Sequence, residues 1–370
     1  MPEQLSTLMH RSVDDVEVPP ADALHIAGRG RALRTRRRVA TVVAGAAAVA
    51  VLGAGGVVVG DALDGSPRGA DVAQHDRGDA SAADGSYDEW GAHAGGDQVT
   101  IGGTTVTLAA APWFLAQTSA GVVAQLTGAD DGTDFVLVRP DGTTAPLTIP
   151  AGTTTIDGDP TAPTVAWIEL GTDEGTVHVW DVNADREVAA VRLDLPGATP
   201  TLGRQYLQPV QLDGPTVYVG TGTGSALRVT WATGAVVEVP RAPVAVRAGT
   251  GVAYDGDRWY VTDAATGAVR WSLGRDVQTA SLSPDGKWVF YVDTRDGLGY
   301  VVPATGGRRV EVAGLTATST WTREGQLIGP GTGEYTVRRC STDGRCEERP
   351  AEGLGPEAPS PLIPDFHMVG

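Results

Sequence analysis

Metal-binding and basic side chains are scarce in this chain. Its 370 residues hold six histidines, two cysteines, and one lysine (Lys287) against 27 arginines. His10, His25, His75, His93 and His367 lie far apart in polar or terminal stretches, and only His178 falls in an apolar run. No multi-histidine metal site can be assembled from that set. The G-x-S-x-G elbow, H-E-x-x-H and the phosphate-binding glycine loop are all missing. No serine close to His178 in sequence suggests a nucleophile, so the sequence gives no catalytic residue, metal ligand or cofactor site. Beyond the arginines at 29–38, cationic patches are missing too. Residues 1–60 carry a net charge of about +2, and residues 61–370 about −19. A surface that acidic excludes the basic footprint of a nucleic-acid-binding protein. Periodic arrays of helix formers are rare beyond residue 60.

The chain is rich in glycine (50 residues) and proline (24), with abundant threonine, valine and aspartate. Asx and glycine residues supply tight turns and β-branched residues suit strands, so the composition predicts many short strands.

One uncharged run stands out. Val39 to Gly60 reads VATVVAGAAAVAVLGAGGVVVG, 22 residues, which as a helix spans about 33 Å against a bilayer core of about 30 Å. Arg29, Arg31, Arg34, Arg36, Arg37 and Arg38 precede it, and Asp61 and Asp64 follow. That asymmetry predicts a single transmembrane helix over 39–60, with residues 1–38 cytoplasmic and everything beyond extracytoplasmic. A cleaved signal peptide fits less well, because its apolar core is shorter and lies nearer the start. Leu5, Leu8, Met9, Val13 and Val16 recur at helical spacing. They describe a helix that docks a cytoplasmic partner, one that lies on the membrane, or a tail with no fixed structure. The stretch VDDVEVPPADAL (13–24), followed by the arginine cluster and the span, resembles the N-termini of some actinobacterial membrane proteins. Residues 61–96 are nearly free of aliphatic side chains and read as a flexible tether.

Residues 97–370 repeat. Six strand–turn–strand units occur at 133–149, 175–193, 225–239, 257–273, 297–312 and 334–349. Their turns are centred on Gly142, Asp185, Gly234, Gly267, Gly306 and Gly344, spaced 43, 49, 33, 39 and 38 residues apart. A period near 40, with a further strand ahead of most units, predicts an all-β propeller of four-stranded blades. A further hairpin at 99–109 and the C-terminal 359–370 can share one more blade that closes the ring. The expected count is seven blades, with six the alternative.

Two motifs resemble a known family. Trp180-Asp181 ends a strand much as in WD40 blades. Ser283-Pro284-Asp285-Gly286-Lys287, inside SLSPDGKWVFY, is similar to the repeat motif of WD40-like, TolB-type bacterial propellers. The resemblance implies the fold and says little of function. Cys340 and Cys346 flank the last hairpin turn. They can pair as a disulfide, which agrees with an oxidising compartment, or act as a redox or metal pair. Acids cluster at Asp130, Asp131 and Asp134, at Asp157 and Asp159, at Asp255 and Asp257, and at Asp293 and Asp296.

Two functions follow as expectations. The first is a membrane-anchored binding scaffold for a protein, peptide or glycan, with a sensor as its variant. The alternative is an extracytoplasmic hydrolase or lyase whose carboxylates meet in the propeller channel.

Overall fold

The computed structural model describes residues 86–364, apart from 128–132, 151–152, 154–155, 172, 196–209, 222–223 and 356–359. Residues 1–38, the apolar run 39–60 and most of the segment 61–96 lie outside the described residues. Among the described residues no helix is long and apolar enough to cross a membrane.

Among the described residues one short helix, α1 (Ser86–Trp90), precedes 27 strands. The strands form six four-stranded antiparallel sheets and one of three. Blade 1 holds β1 (Ala92–Gly95), β2 (Gln98–Ile101) and β3 (Thr104–Thr107). Blade 2 holds β4 (Pro112–Thr118), β5 (Gly121–Thr127), β6 (Thr133–Val138) and β7 (Thr144–Leu147). Blade 3 holds β8 (Asp157–Gly158), β9 (Thr164–Leu170), β10 (Glu174–Asp181) and β11 (Arg186–Asp194). Blade 4 holds β12 (Val210–Asp213), β13 (Thr216–Gly220), β14 (Ala226–Thr230) and β15 (Ala235–Val239). Blade 5 holds β16 (Pro243–Arg247), β17 (Thr250–Tyr254), β18 (Trp259–Asp263) and β19 (Val269–Gly274). Blade 6 holds β20 (Val277–Leu282), β21 (Trp288–Asp293), β22 (Gly299–Pro303) and β23 (Val310–Val312). Blade 7 holds β24 (Thr320–Trp321), β25 (Leu327–Pro330), β26 (Thr336–Cys340) and β27 (Cys346–Pro350).

The six hairpins read from the sequence are the third and fourth strands of blades 2 to 7. Their turn residues, Gly142, Asp185, Gly234, Gly267, Gly306 and Gly344, all have positive φ. That left-handed geometry is what a tight hairpin demands. The fourth strand of blade 1 comes from the far end of the chain. Ala94 and Leu362 exchange both backbone hydrogen bonds, each 2.8 Å, as an antiparallel bridge beside β1.

Seven buried hydrophobic clusters lie between successive blades, which is the number a closed ring of seven requires. A blade strand serves two of them at once. In β13, Val217 and Val219 face blade 3, and Tyr218 between them faces blade 5. Period-two alternation therefore separates two interfaces here rather than core from solvent.

The start of the propeller differs from the sequence reading. Residues 86–96, assigned by composition to the tether, belong to blade 1 and its flank. β1 is buried along its whole length, and the Tyr87 hydroxyl donates to the carbonyls of Thr118 and Gly121, each at 3.0 Å. Trp90, which had no role in the sequence, is stacked between two guanidinium groups. Arg349 lies 4.0 Å and Arg339 4.4 Å from its ring centroid. The segment lacks aliphatic residues because the interface it fills is built from alanine, glycine and ring–cation contacts.

The Ser283–Lys287 motif forms the turn between the first two strands of blade 6. Ser283 Oγ donates to Asp285 and accepts from the Trp288 amide. Gly286 has φ of +66° and sits on blade 5, where an added Cβ would clash with the Arg247 carbonyl oxygen. Cys340 and Cys346 stand opposite each other in β26 and β27 and are joined by a disulfide.

Two stability outcomes follow. Gly286→Ala should cost about 2–3 kcal/mol, from backbone strain plus the clash. Gly297→Ala, with φ of +72° but open space around it, should cost only about 1 kcal/mol. Equal losses for the two in urea unfolding would refute the inter-blade contact at Gly286. Trp90→Ala should lower stability by about 2–4 kcal/mol, through lost packing and two lost cation–π contacts. An unchanged denaturation midpoint would show that the stack carries no energy.

Candidate functional site

The first strands of the blades line the central channel, and their chemistry decides what it can do. Gln117, Gln211, Thr279, Ser281, Ser319 and Trp321 surround a narrow cavity of about 60 Å³. Among the described residues lining it there is no carboxylate or histidine. Its one charged group is Arg247, at the end where the first and second strands of each blade are joined.

That end is stitched together by aspartates reaching from blade to blade. The Asp157 carboxylate on β8 accepts the Leu212 amide of blade 4 at 2.5 Å, and Asp159 accepts the Gly214 amide at 2.9 Å. One blade on, Asp213 accepts the Ala248 and Gly249 amides of blade 5 at 2.8 and 2.9 Å. Asp159 also accepts the amide and hydroxyl of Thr161. Arg247 returns from blade 5. It donates to the carbonyls of Leu212 at 3.1 Å and Gly158 at 3.4 Å, and lies 3.8 Å from Asp157. From blade 7, Arg323 donates to the Pro160 carbonyl at 3.0 Å and pairs with Asp88 of α1 at 2.6 Å. Burial raises the Asp157 carboxyl well above the usual carboxylate range, and Arg247 and the Leu212 amide only partly oppose it.

The acids read from the sequence do not converge. Asp157 and Asp159 reach the inner strands, where their oxygens hold backbone amides. Asp255 and Asp257 lie in the β17–β18 turn. Asp293 is held well below the normal range by Arg295 and Arg309, and Asp296 accepts the Tyr300 hydroxyl at 2.7 Å. Asp130 and Asp131 fall outside the described residues. His178 is in the third strand of its blade, stacked on Trp167 with centroids 5.0 Å apart and 2.5 Å from Glu187. Trp180 donates its indole N–H to Asp185 at 3.1 Å, and Asp181 accepts the amides of Asn183 and Ala184. The WD pair therefore shapes its own hairpin turn.

The site that the sequence did not reveal is a groove between blades 4 and 5. The core there is the alanine-rich one, formed by Tyr218, Ala226, Val239, Val246 and Ala264, with Ala242 at its edge. Beside this core, turns of blades 3 to 6 surround an open cavity of about 620 Å³. Thr161, Thr216, Tyr218, Arg228, Thr230 and Ala265 line it, next to Arg247 and Asp213 at the channel end. One cross-strand row runs radially along it. Gln211, Tyr218, Arg228 and Val237 are register partners in β12 to β15. The row begins in the channel and ends at Val237, which is 48% exposed on the rim. Arg228 spans the gap to the Ala265 carbonyl at 2.9 Å. Desolvation, reinforced by Asp213, pushes the Tyr218 hydroxyl up to about 12, so it stays protonated and able to donate. The groove arises from the juxtaposition of two blades, and no local pattern encodes it.

No protein-family model matches the chain, and no curated protein is similar to it in sequence. Solved structures do resemble it. The WD40 domain of Toxoplasma gondii coronin is 10% identical, with a TM-score of 0.42 over 68% of this chain and 70% of that one. TolB from Acinetobacter baumannii is 13% identical, with a TM-score of 0.42 over 62% and 63%. A chain of the mitotic checkpoint complex is 12% identical, with a TM-score of 0.44 over 64% and 78%. At such identities the likeness concerns fold alone. The blade count, the strand order and the ring closure carry the assignment: the chain is a seven-bladed β-propeller.

Proposed function

We propose that this propeller is a binding scaffold, held on the outer face of a membrane by the span at 39–60, which seats an extended segment of a partner protein between blades 4 and 5. The observation that carries this reading is the groove itself. Its volume of about 620 Å³ falls in the range of binding sites, and its walls offer hydroxyl and guanidinium donors. Thr216, Thr230, Tyr218 and Arg228 suit the carbonyl oxygens of an extended chain. Val237, 48% exposed at the outer end of the same cross-strand row, can cover apolar side chains. The interaction is the kind in which main-chain hydrogen bonds give affinity and alternate side chains give selectivity. The enzyme alternative has less support, because among the described residues no carboxylate lines the channel cavity and Asp157 and Asp159 are both engaged with backbone amides.

A substitution at an exposed groove wall tests this. Ala265 is exposed and lies in the β18–β19 turn, so Ala265→Trp fills the groove while leaving the inter-blade core intact. Recovery of an extracytoplasmic partner from native membranes should fall at least tenfold, about 1.4 kcal/mol, with no change in melting temperature. A bulky residue on the distant β7, at exposed Thr144, should have no effect. Undiminished recovery by Ala265→Trp would remove the groove as the site. Recovery of a cytoplasmic partner alone would move recognition to the N-terminal tail.

A further inference from the structure

The interface that closes the ring contains a buried imidazole with nothing to bind. His93 lies in the middle of β1, opposite Thr100 in β2, and is 1% exposed. Neither ring nitrogen has a hydrogen-bond partner. Its neighbour Ala94 makes the bridge to Leu362 that supplies blade 1 with its fourth strand.

The orientation of β1 follows from its alternation. Ala92 and Ala94 pack with Leu115 and Val122 of blade 2. The intervening residues face blade 7, where a Cβ on Gly95 would meet Gly353 and Leu354. His93 shares that side, and the charged group acting on it is Arg349 of β27. Arg349 is stacked on Trp90 and donates to the Gly102 carbonyl at 2.7 Å. The groups around Arg349 are Arg339 of β26, Glu347 of β27, Glu89 of α1 and Glu352 after β27. These acids are engaged elsewhere. Glu89 and Glu347 both pair with Arg339, and Glu352 accepts the Thr105 hydroxyl at 2.5 Å.

We propose that His93 makes the ring closure acid-labile: protonation of its imidazole releases the clasp between Ala94 and Leu362 while blades 3 to 6 stay folded. A charge placed there would be buried, without an acceptor, and beside a fixed guanidinium. Opening the clasp hydrates the ring, so protons bind the open form more tightly. The apolar share of this interface is small, Ile328, Val337, Ala351 and Ile363, so one uncompensated charge weighs heavily against it. In the closed ring, burial and Arg349 lower His93 to about 4 from its ordinary 6.5. The stabilising contribution of the neutral ring is complete above pH 6.5 and is lost as pH falls toward 4. Between pH 7.5 and 5.0 the opening equilibrium should rise about thirty-fold.

Hydrogen exchange on the full chain, corrected for intrinsic rates at each pH, reads this directly. Peptides containing Ala94 and Leu362 should show the thirty-fold rise, while β13 and β17 should not. His93→Leu, which fills the same space without a titrating group, should abolish the rise. The proposal fails if the rise is absent in the wild type, persists in His93→Leu, or extends equally to β13 and β17. Should His93→Leu not fold, the imidazole can be titrated by NMR in the wild type. Its protonation and the exchange of Ala94 must share one midpoint, and separate midpoints overturn the proposal.

Discussion

The buried apolar clusters join each blade of this domain to its two neighbours, so the ring depends on the one interface that joins residues distant in sequence. Blades 2 to 7 are each made from a continuous stretch of chain. Blade 1 alone is completed across the molecule, through Ala94 and Leu362. Without that bridge the chain would be an open array with a free edge at each end, and free edges invite pairing with other strands. The loss would also expose the faces of blades 1 and 7. The energy at this joint comes in an unusual currency. Its buried apolar cluster is small, and the remainder is Trp90 held between Arg339 and Arg349, with Glu89 and Glu347 fixing Arg339. Such an assembly is specific in geometry, because planar guanidinium groups and an indole ring stack in few ways.

The repeats were legible because each blade's last hairpin carries its own turn chemistry. Six turn residues identified by spacing alone all have the left-handed backbone that requires glycine or an Asx residue. The count of seven was also within reach, since the hairpin at 99–109 and the C-terminal segment had no other place to go. The boundary at the N-terminal side was not. Residues 86–96 contain a tyrosine, a tryptophan and a histidine among glycines, alanines and acids, which by composition is a tether. Their burial is decided by Arg339, Arg349 and Leu362, some 250 residues away, and no local window contains those partners. His93 fell to the same error. A lone histidine in a polar stretch reads as solvated, and here it is 1% exposed.

The groove was hidden for a related reason. Each strand of a blade contributes alternate residues to two interfaces, so a gap between blades depends on which residues from two separate repeats meet. Thr216, Tyr218, Arg228 and Thr230 look unremarkable in β13 and β14. Only when the turns carrying Thr161, Gly249 and Ala265 are set beside them do they wall a cavity.

That space persists because the channel side is fixed. Asp157, Asp159 and Asp213 hold the turns of the next blade by their amides, and Arg247 ties blades 3, 4 and 5 through carbonyl oxygens. An open gap between blades would ordinarily collapse to recover dispersion energy. Here the blades are pinned at their inner ends by charge-assisted bonds to backbone, so they cannot slide together without breaking several of them. Burying Asp157 costs free energy, which its raised pKa records, and the return is a rigid hub. Blades 4 and 5 are therefore spaced by the hub at the channel end, whereas blades 1 and 7 are joined through the clasp, the Trp90 stack and the Arg349 bond to Gly102. One seam carries an open groove beside its buried core and the other a buried histidine, and the two are separate in both position and chemistry.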